Sequence, residues 1–296
     1  MNVKSTLPPF LTMFFAWSQP DPLQDKAAQD DSRHMRMTTQ RLSPPPALRY
    51  GWLAGPVFLL AYWAAASASG LIDTRILPAP WVVVSTGVDL VHDGRLLGNL
   101  LISLVRAVEG FVIGGLAGIA LALLSGLSRA GDYFVDGIAQ VKRAVPAVAL
   151  IPFFILWFGV DEGMKIMVIA VGAFTPVYLH THTALRAIDI RYVELAETLR
   201  IGYWKFVWHI VLPGALPGMM LGLRFGVMAA LLGLVVVEEV NATSGIGYMI
   251  DLARTYAQSD VMLVGLVTYV VIGVIADQTL LRVERRVLSW RRTLAA

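Results

Sequence analysis

Six stretches of this chain are more apolar than the surface of a soluble domain tolerates. They run over about 52–71, 97–127, 145–160, 164–183, 215–237 and 261–281. A helix needs about 20 mainly apolar residues to cross the hydrocarbon layer of a bilayer. The segment must also satisfy its own backbone hydrogen bonds there, because no water is present to do so. The third stretch is short and carries Pro146 and Pro152. A prolyl kink is tolerated where neighbouring helices satisfy the freed carbonyls. Charged residues make up 15% of the chain, against about 25% in an average soluble domain. The pattern predicts an all-α polytopic membrane protein with about six transmembrane helices.

Lys and Arg concentrate on the cytoplasmic side of membrane proteins, so their distribution sets the orientation. With the N-terminus inside, eighteen fall on that side. Six precede residue 50, and Arg129, Lys142 and Arg143 follow the second stretch. Arg186, Arg191, Arg200 and Lys205 lie in the loop at about 184–213, and Arg282, Arg285, Arg286, Arg291 and Arg292 come last. The other side holds four: Arg75, Arg95, Lys165 and Arg254. This imbalance gives an N-in, C-in topology and a cytoplasmic loop at 184–213.

Residues 1–48 read as a disordered cytoplasmic tail before a membrane domain at 49–296. From Ser18 to Pro46 the tail is mostly Asp, Gln, Ser, Thr and Pro, a composition that cannot bury enough apolar surface to order itself. Leu7–Trp17 is apolar and follows Lys4, like a signal peptide. Pro8 and Pro9 interrupt it, and no small-residue cleavage site follows. A start at Met35 or Met37 is an alternative that mass spectrometry of the native N-terminus decides.

Several chemistries are excluded. The chain has no cysteine, which removes disulfides, thiolate metal sites and cysteine nucleophiles. His34, His92, His180, His182 and His209 lack ligand spacing, and residues two apart face different sides of a helix. No G-x-x-x-x-G-K-[ST] is present, so the chain has no loop to cradle ATP phosphates. Glu238 and Glu239 are adjacent and diverge on a helix, which leaves a lipid-directed enzyme without paired carboxylates. An ion-coupled secondary transporter is the competing class. It would show carboxylate or His relays within the membrane. The first four stretches are nearly free of deep carboxylates.

Within the spans, Gly110, Gly114, Gly118, Ala122 and Gly126 recur every four residues. That spacing makes a stripe on which another helix can pack closely. Arg224 and Glu238 are the costly membrane charges and the candidate translocation-pathway residues. A buried structural pair, or snorkelling toward the headgroups, is the other reading of Arg224. Arg106 and Glu109, three apart, read as an intrahelical pair near the outer interface. The turn-rich segment 241–248 and the short amphipathic piece 249–256 read as an outer gate or a dock for an external partner.

The loop around Glu194–Pro213 reads as a short helix followed by breakers. Val193, Leu195, Ala196 and Leu199 form its apolar face, with Glu194 and Glu197 in its first turn, where the helix dipole favours anions. Pro213 and Pro217 interrupt the pattern before the next span. Such a loop is either a solvated linker or a docking element.

This interval resembles the signature loop of binding-protein-dependent ABC importer permeases: Glu-Ala-Ala, three residues, Gly, nine residues, Ile, one residue, Leu-Pro. Glu194, Ala196, Ile210, Leu212 and Pro213 match. Leu195 replaces the first Ala, and Arg200 stands at the Gly position. Either Gly202 takes over the turn or the loop is shaped differently. The runs Thr74–Pro78, Ile102–Ser103 with Arg106, Ser125–Ser128, Ala149–Pro152, Ile155–Asp161, Leu212–Pro217 and Ser244–Tyr248 are similar to the nitrate, taurine and sulfonate permease group, and most of all to its aliphatic-sulfonate branch. The resemblance implies a type I permease fold and a translocation subunit without catalysis of its own. It implies a second copy of the chain, a cytoplasmic ATPase dimer that binds ATP-Mg, and a soluble binding protein outside. No cofactor on this chain and no nucleic-acid partner are expected. It also implies that Glu194, Ala196, Glu197, Arg200, Gly202, Ile210, Leu212 and Pro213 form the coupling loop. Taurine, nitrate or a thiamine precursor are the alternative cargoes.

Overall fold

The structure is a computed structural model that describes residues 51–290. The tail at 1–48, the alternative starts, and Arg291 and Arg292 lie outside the described residues. The principal helices are α1 (Ala54–Ala68), α2 (Pro80–His92), α3 (Arg95–Leu127), α4 (Gly137–Ala144), α5 (Ile151–Phe158), α6 (Glu162–Arg186), α7 (Ile190–Thr198), α8 (Leu212–Asn241), α9 (Ile246–Thr255) and α10 (Ser259–Val287). Among the described residues there are no strands. By contacts the chain divides between Ala65 and Ala66. Most of α1 therefore belongs to the first part and is described by itself. It is apolar throughout, with 15 residues, and is about 22 Å long at 1.5 Å per residue.

Among the described residues four helices are long and apolar enough to cross a membrane: α3, α6, α8 with the turn before it (Tyr203–Val240), and α10. They coincide with the second, fourth, fifth and sixth predicted spans. The third predicted span, 145–160, is not one helix. Arg129–Ala144 and Ala147–Phe158 meet at an angle of 93° and make a fifth crossing only as a broken pair. The break lies at Val145, which is extended (φ −101°, ψ 115°) because Pro146 follows it. The predicted break at Pro213 and Pro217 is also corrected. A π turn at Val207–Val211 leads directly into α8, with Pro213 in its first turn and Pro217 inside it. The sequence reading missed α2, although Pro80 at its first turn marks the start.

α6 lies between α3 and α8. The glycine stripe of α3 makes this contact possible. A Cβ on Gly114 would sit 2.1 Å from the Ala170 carbonyl oxygen, and one on Gly126 would sit 2.7 Å from Leu185 Cδ1. α8 offers a matching series. A Cβ on Gly218 would lie 2.3 Å from Ala184 Cβ, and one on Gly226 would lie 2.6 Å from Val177 Cγ2. Backbone contact on both sides substitutes for the hydrophobic drive that lipid removes. The core beside it gathers Ala107, Ile151, Phe154, Met164, Val168, Ile169, Ala173, Ala230, Leu234 and Val237.

Candidate functional site

The loop between α6 and α8 is built around α7. Asp189 caps it, accepting the Arg191 N–H at 2.9 Å. The helix thus starts four residues before Glu194, and the expectation that Glu194 and Glu197 occupy the first turn is corrected. An Asp just before the periodic residues was the available signal. Ala196 is buried and faces inward, while Glu194, Leu195, Glu197 and Leu199 are exposed. The helix ends in a Schellman motif. Arg200 N–H donates to the Glu197 carbonyl at 3.0 Å, and Ile201 N–H donates to the Ala196 carbonyl at 2.8 Å.

Arg200 takes the left-handed conformation itself, at φ +52°, whereas Gly202 sits at φ −63° and precedes the helical turn Tyr203–Phe206. The turn stays at position 200 and Gly202 does not take it over. A non-glycine residue there costs about 1–2 kcal/mol, partly offset by the lower chain entropy of arginine in the unfolded state. Arg200→Gly is therefore expected to raise stability by about 1 kcal/mol, read as a higher Tm of the purified protein. A lower Tm would show that the arginine side chain makes up for its backbone. Beyond the turn, Tyr203 Oη donates to the Leu127 carbonyl at 2.8 Å and ties the loop to the inner end of α3. Ile210, Leu212 and Pro213 are half-buried where the chain enters α8.

Arg224 projects from α8 toward α10. It donates to Asp277 Oδ1 from Nε at 3.1 Å and Nη2 at 3.0 Å, with Glu284 Oε2 at 3.6 Å from Nη1. Its charge is thus shared with carboxylates that the sequence reading did not pair with it. Asp277 lies inside the sixth predicted span, which was the signal.

Glu238 is at the centre of a buried charge node on the outer side. Arg106, 3% exposed, uses all five of its N–H donors. Nε and Nη2 reach the Glu162 carboxylate at 2.6 and 2.7 Å. Nη1 reaches Glu238 Oε1 at 2.8 Å and the Ser244 carbonyl at 2.7 Å. Nη2 also reaches Ser244 Oγ at 3.1 Å. Glu238 accepts further bonds from Ser103 at 2.8 Å, Gly247 N–H at 2.9 Å and Tyr269 Oη at 2.9 Å. Lys165 Nζ donates to Glu162 at 2.7 Å. Two cations thus balance two carboxylates, and α3, α6, α8, α9 and α10 meet at one point. The expected Arg106–Glu109 pair is corrected. Arg106 shares the buried face of α3 with Ser103, Ala107 and Gly110, whereas Glu109 is exposed. The segment 241–248 closes over this node. Gly245 (φ +112°) is so close that a Cβ would lie 2.3 Å from Glu238 Oε1.

Lys142, read from sequence as cytoplasmic, is also corrected. Its Nζ donates to the Val171 carbonyl and Thr175 Oγ1 on α6 and lies 5.9 Å from the centre of the Phe174 ring. These partners are near the middle of α6, roughly 14–20 Å along its axis from Glu162.

Residues 110–289 match the family described as binding-protein-dependent transport system inner membrane component. The chain belongs to that family. A Bacillus subtilis (strain 168) permease protein named for aliphatic sulfonates transport, SsuC, is 38% identical over 252 residues, which is 84% of this chain and 91% of that one. The Escherichia coli (strain K12) protein of the same name is 43% identical over 235 residues, 79% of this chain and 89% of its own. The taurine transport system permease protein TauC of Escherichia coli (strain K12) is 30% identical over 254 residues, 84% of this chain and 91% of its own. Among solved structures, an amino acid ABC transporter chain superposes with a TM-score of 0.58 at 17% identity, over 67% of this chain and 96% of that one. A MetNI methionine ABC transporter chain gives 0.51 at 21% identity, over 70% of this chain and 96% of its own. These two share the fold. The chain is therefore a multi-pass cell-membrane permease subunit of an ABC importer with the type I fold. Permeases of this family work with an ATPase and a substrate-binding protein. The resemblance read from the loop and the scattered runs is met at the level of the family.

Proposed function

We propose that this permease imports aliphatic sulfonates. The observation that carries the reading is the pair of sulfonate-named relatives, at 38% and 43% identity, against 30% for the taurine permease. Two copies of the chain form one pathway. The exposed face of α7, with Glu194, Glu197 and Leu199, docks into a cytoplasmic ATPase dimer. ATP-Mg binds that partner, and this chain converts the partner's closure into alternating access, its populations shifted by the nucleotide state. A soluble binding protein delivers the cargo from outside. The loop supports this role because a rigid Schellman-capped helix, tied to α3 through Tyr203, transmits displacement better than a solvated linker would.

The test is ligand binding by the delivering protein. Alkanesulfonates, taurine, nitrate and a thiamine precursor are titrated in turn. Tight binding of alkanesulfonates alone supports the reading, and tight binding of another cargo overturns it. In this reading Arg224 flanks the pathway, and Asp277 and Glu284 moderate its charge as an anion passes. Arg224→Gln is expected to slow uptake about tenfold, roughly the loss of one charge-assisted contact. Unimpaired uptake by a folded Arg224→Gln protein removes it from the pathway.

A further inference from the structure

Among the described residues four lysines and arginines are buried or half-buried, and all but one of them have carboxylate partners within the chain. Arg224 is matched by Asp277 and Glu284, and Arg106 with Lys165 by Glu162 and Glu238. Lys142 is the exception. Among the described residues its ammonium meets no carboxylate, only the Val171 carbonyl, the Thr175 hydroxyl and the Phe174 ring. Asp136, on the same segment, is engaged instead with Tyr178 Oη at 3.1 Å and His182 Nδ1 at 3.5 Å. A lysine has three N–H donors, and the two contacts leave one for a ligand.

The position of Lys142 is as unusual as its lack of a counter-ion. It lies three residues before Val145, at the 93° break between α4 and α5, and opposite the middle of α6. A lysine near a membrane surface extends its ammonium to the headgroups. This one turns inward onto the partial negative charge of a carbonyl and a hydroxyl. Holding an uncompensated cation at that depth is costly. The cost falls when an anion arrives, so the site attracts one.

We propose that Lys142 is a mid-membrane oxyanion site whose missing counter-ion is the negatively charged head of the cargo in transit. The inference rests on the sulfonate reading. A sulfonate oxygen accepts the third N–H, while Val171 and Thr175 hold the ammonium in place. Its contacts are few and weak enough for the anion to leave again, which a transport site requires and a tight binding pocket does not allow.

The test uses the whole complex, permease with ATPase, in proteoliposomes with the binding protein and a labelled alkanesulfonate. Lys142→Met removes the charge and keeps the bulk. Sulfonate uptake is expected to fall at least tenfold, while ATP hydrolysis stimulated by the loaded binding protein stays within about twofold, so cargo moved per ATP collapses. Lys142→Arg is expected to retain most of the uptake. A third variant separates charge from fold. The chain contains no cysteine, so Lys142→Cys can be modified at that one position in the purified protein and checked by intact mass. An aminoethyl methanethiosulfonate reagent is expected to restore uptake, and a neutral methyl reagent is not. Unreduced uptake by Lys142→Met overturns the proposal, as does equal rescue by both reagents. Failure of both the Met and the Cys variants to assemble also overturns it, because Lys142 is then structural. The cargo reading is judged separately, on the unmodified complex. If that complex carries a cation and no sulfonate, the sulfonate reading fails whatever the variants do. If it carries sulfonate and the variants are silent, only the Lys142 site fails.

Discussion

Arg106→Met is expected to cost about 3–5 kcal/mol of stability, the usual result of removing one partner from a buried ion pair. The variant leaves Glu238 with its fully buried carboxylate facing no cation. It also strips the Ser244 carbonyl and hydroxyl of their donors and frees the segment that Gly245 threads past the node. Glu162 suffers less, since it is half-exposed and keeps Lys165. The loss therefore comes mainly from Glu238, and that attribution can be checked. In Arg106→Met/Glu238→Leu both buried charges are gone and part of the stability is expected to return, the rest staying lost because Ser103, Gly247 N–H and Tyr269 no longer have the carboxylate as acceptor. Chemical unfolding in a mixed-micelle system measures all three proteins. An Arg106→Met protein within about 1 kcal/mol of the unmodified chain, well below the usual cost of an unpaired buried charge, would show that the node contributes little to holding its five helices together.

Gly114→Ala is expected to be nearly as damaging, by about 3 kcal/mol, the upper part of the range for overpacking. One methyl group would sit 2.1 Å from the Ala170 carbonyl oxygen and 2.8 Å from its carbonyl carbon. Both are backbone atoms, so no side chain can rotate away and α3 must separate from α6. Gly115, one residue on, supplies the control. A Cβ there meets only Leu223 Cδ2 at 3.9 Å, an ordinary contact. Gly115→Ala is expected to be neutral or slightly stabilising, since alanine is about 1 kcal/mol the better helix former. Equal effects at the two positions would mean that α3 and α6 do not pack as closely as described.

How much of this was legible follows from what each feature depends on. The spans α3, α6, α8 and α10 could be read because the bilayer imposes length and apolarity on each segment separately. The glycine stripe of α3 could be read as a packing face, and the same spacing at Gly218, Gly222 and Gly226 would have announced the second face. The left-handed turn at Arg200 was visible only through the family's glycine, because arginine gives no local sign of positive φ. The partners of Arg106 were not legible. Glu109, three residues away, is the natural local choice, but the true partners Glu162 and Glu238 are 56 and 132 residues distant. Lys142 was misplaced for a related reason. Positive charges near a span end are counted as cytoplasmic, and only the sharp turn enforced by Pro146 carries this one into the middle of the helix bundle.

The most direct measurement is uptake of a labelled alkanesulfonate by proteoliposomes that contain this permease, with ATPase, ATP-Mg and the loaded binding protein each supplied or withheld. The expected result is uptake only when all three are present, lost when Glu194 and Glu197 on α7 are both replaced by lysine while the protein stays folded. Uptake that proceeds without the ATPase and follows an imposed ion gradient would contradict the account and return the chain to the ion-coupled class.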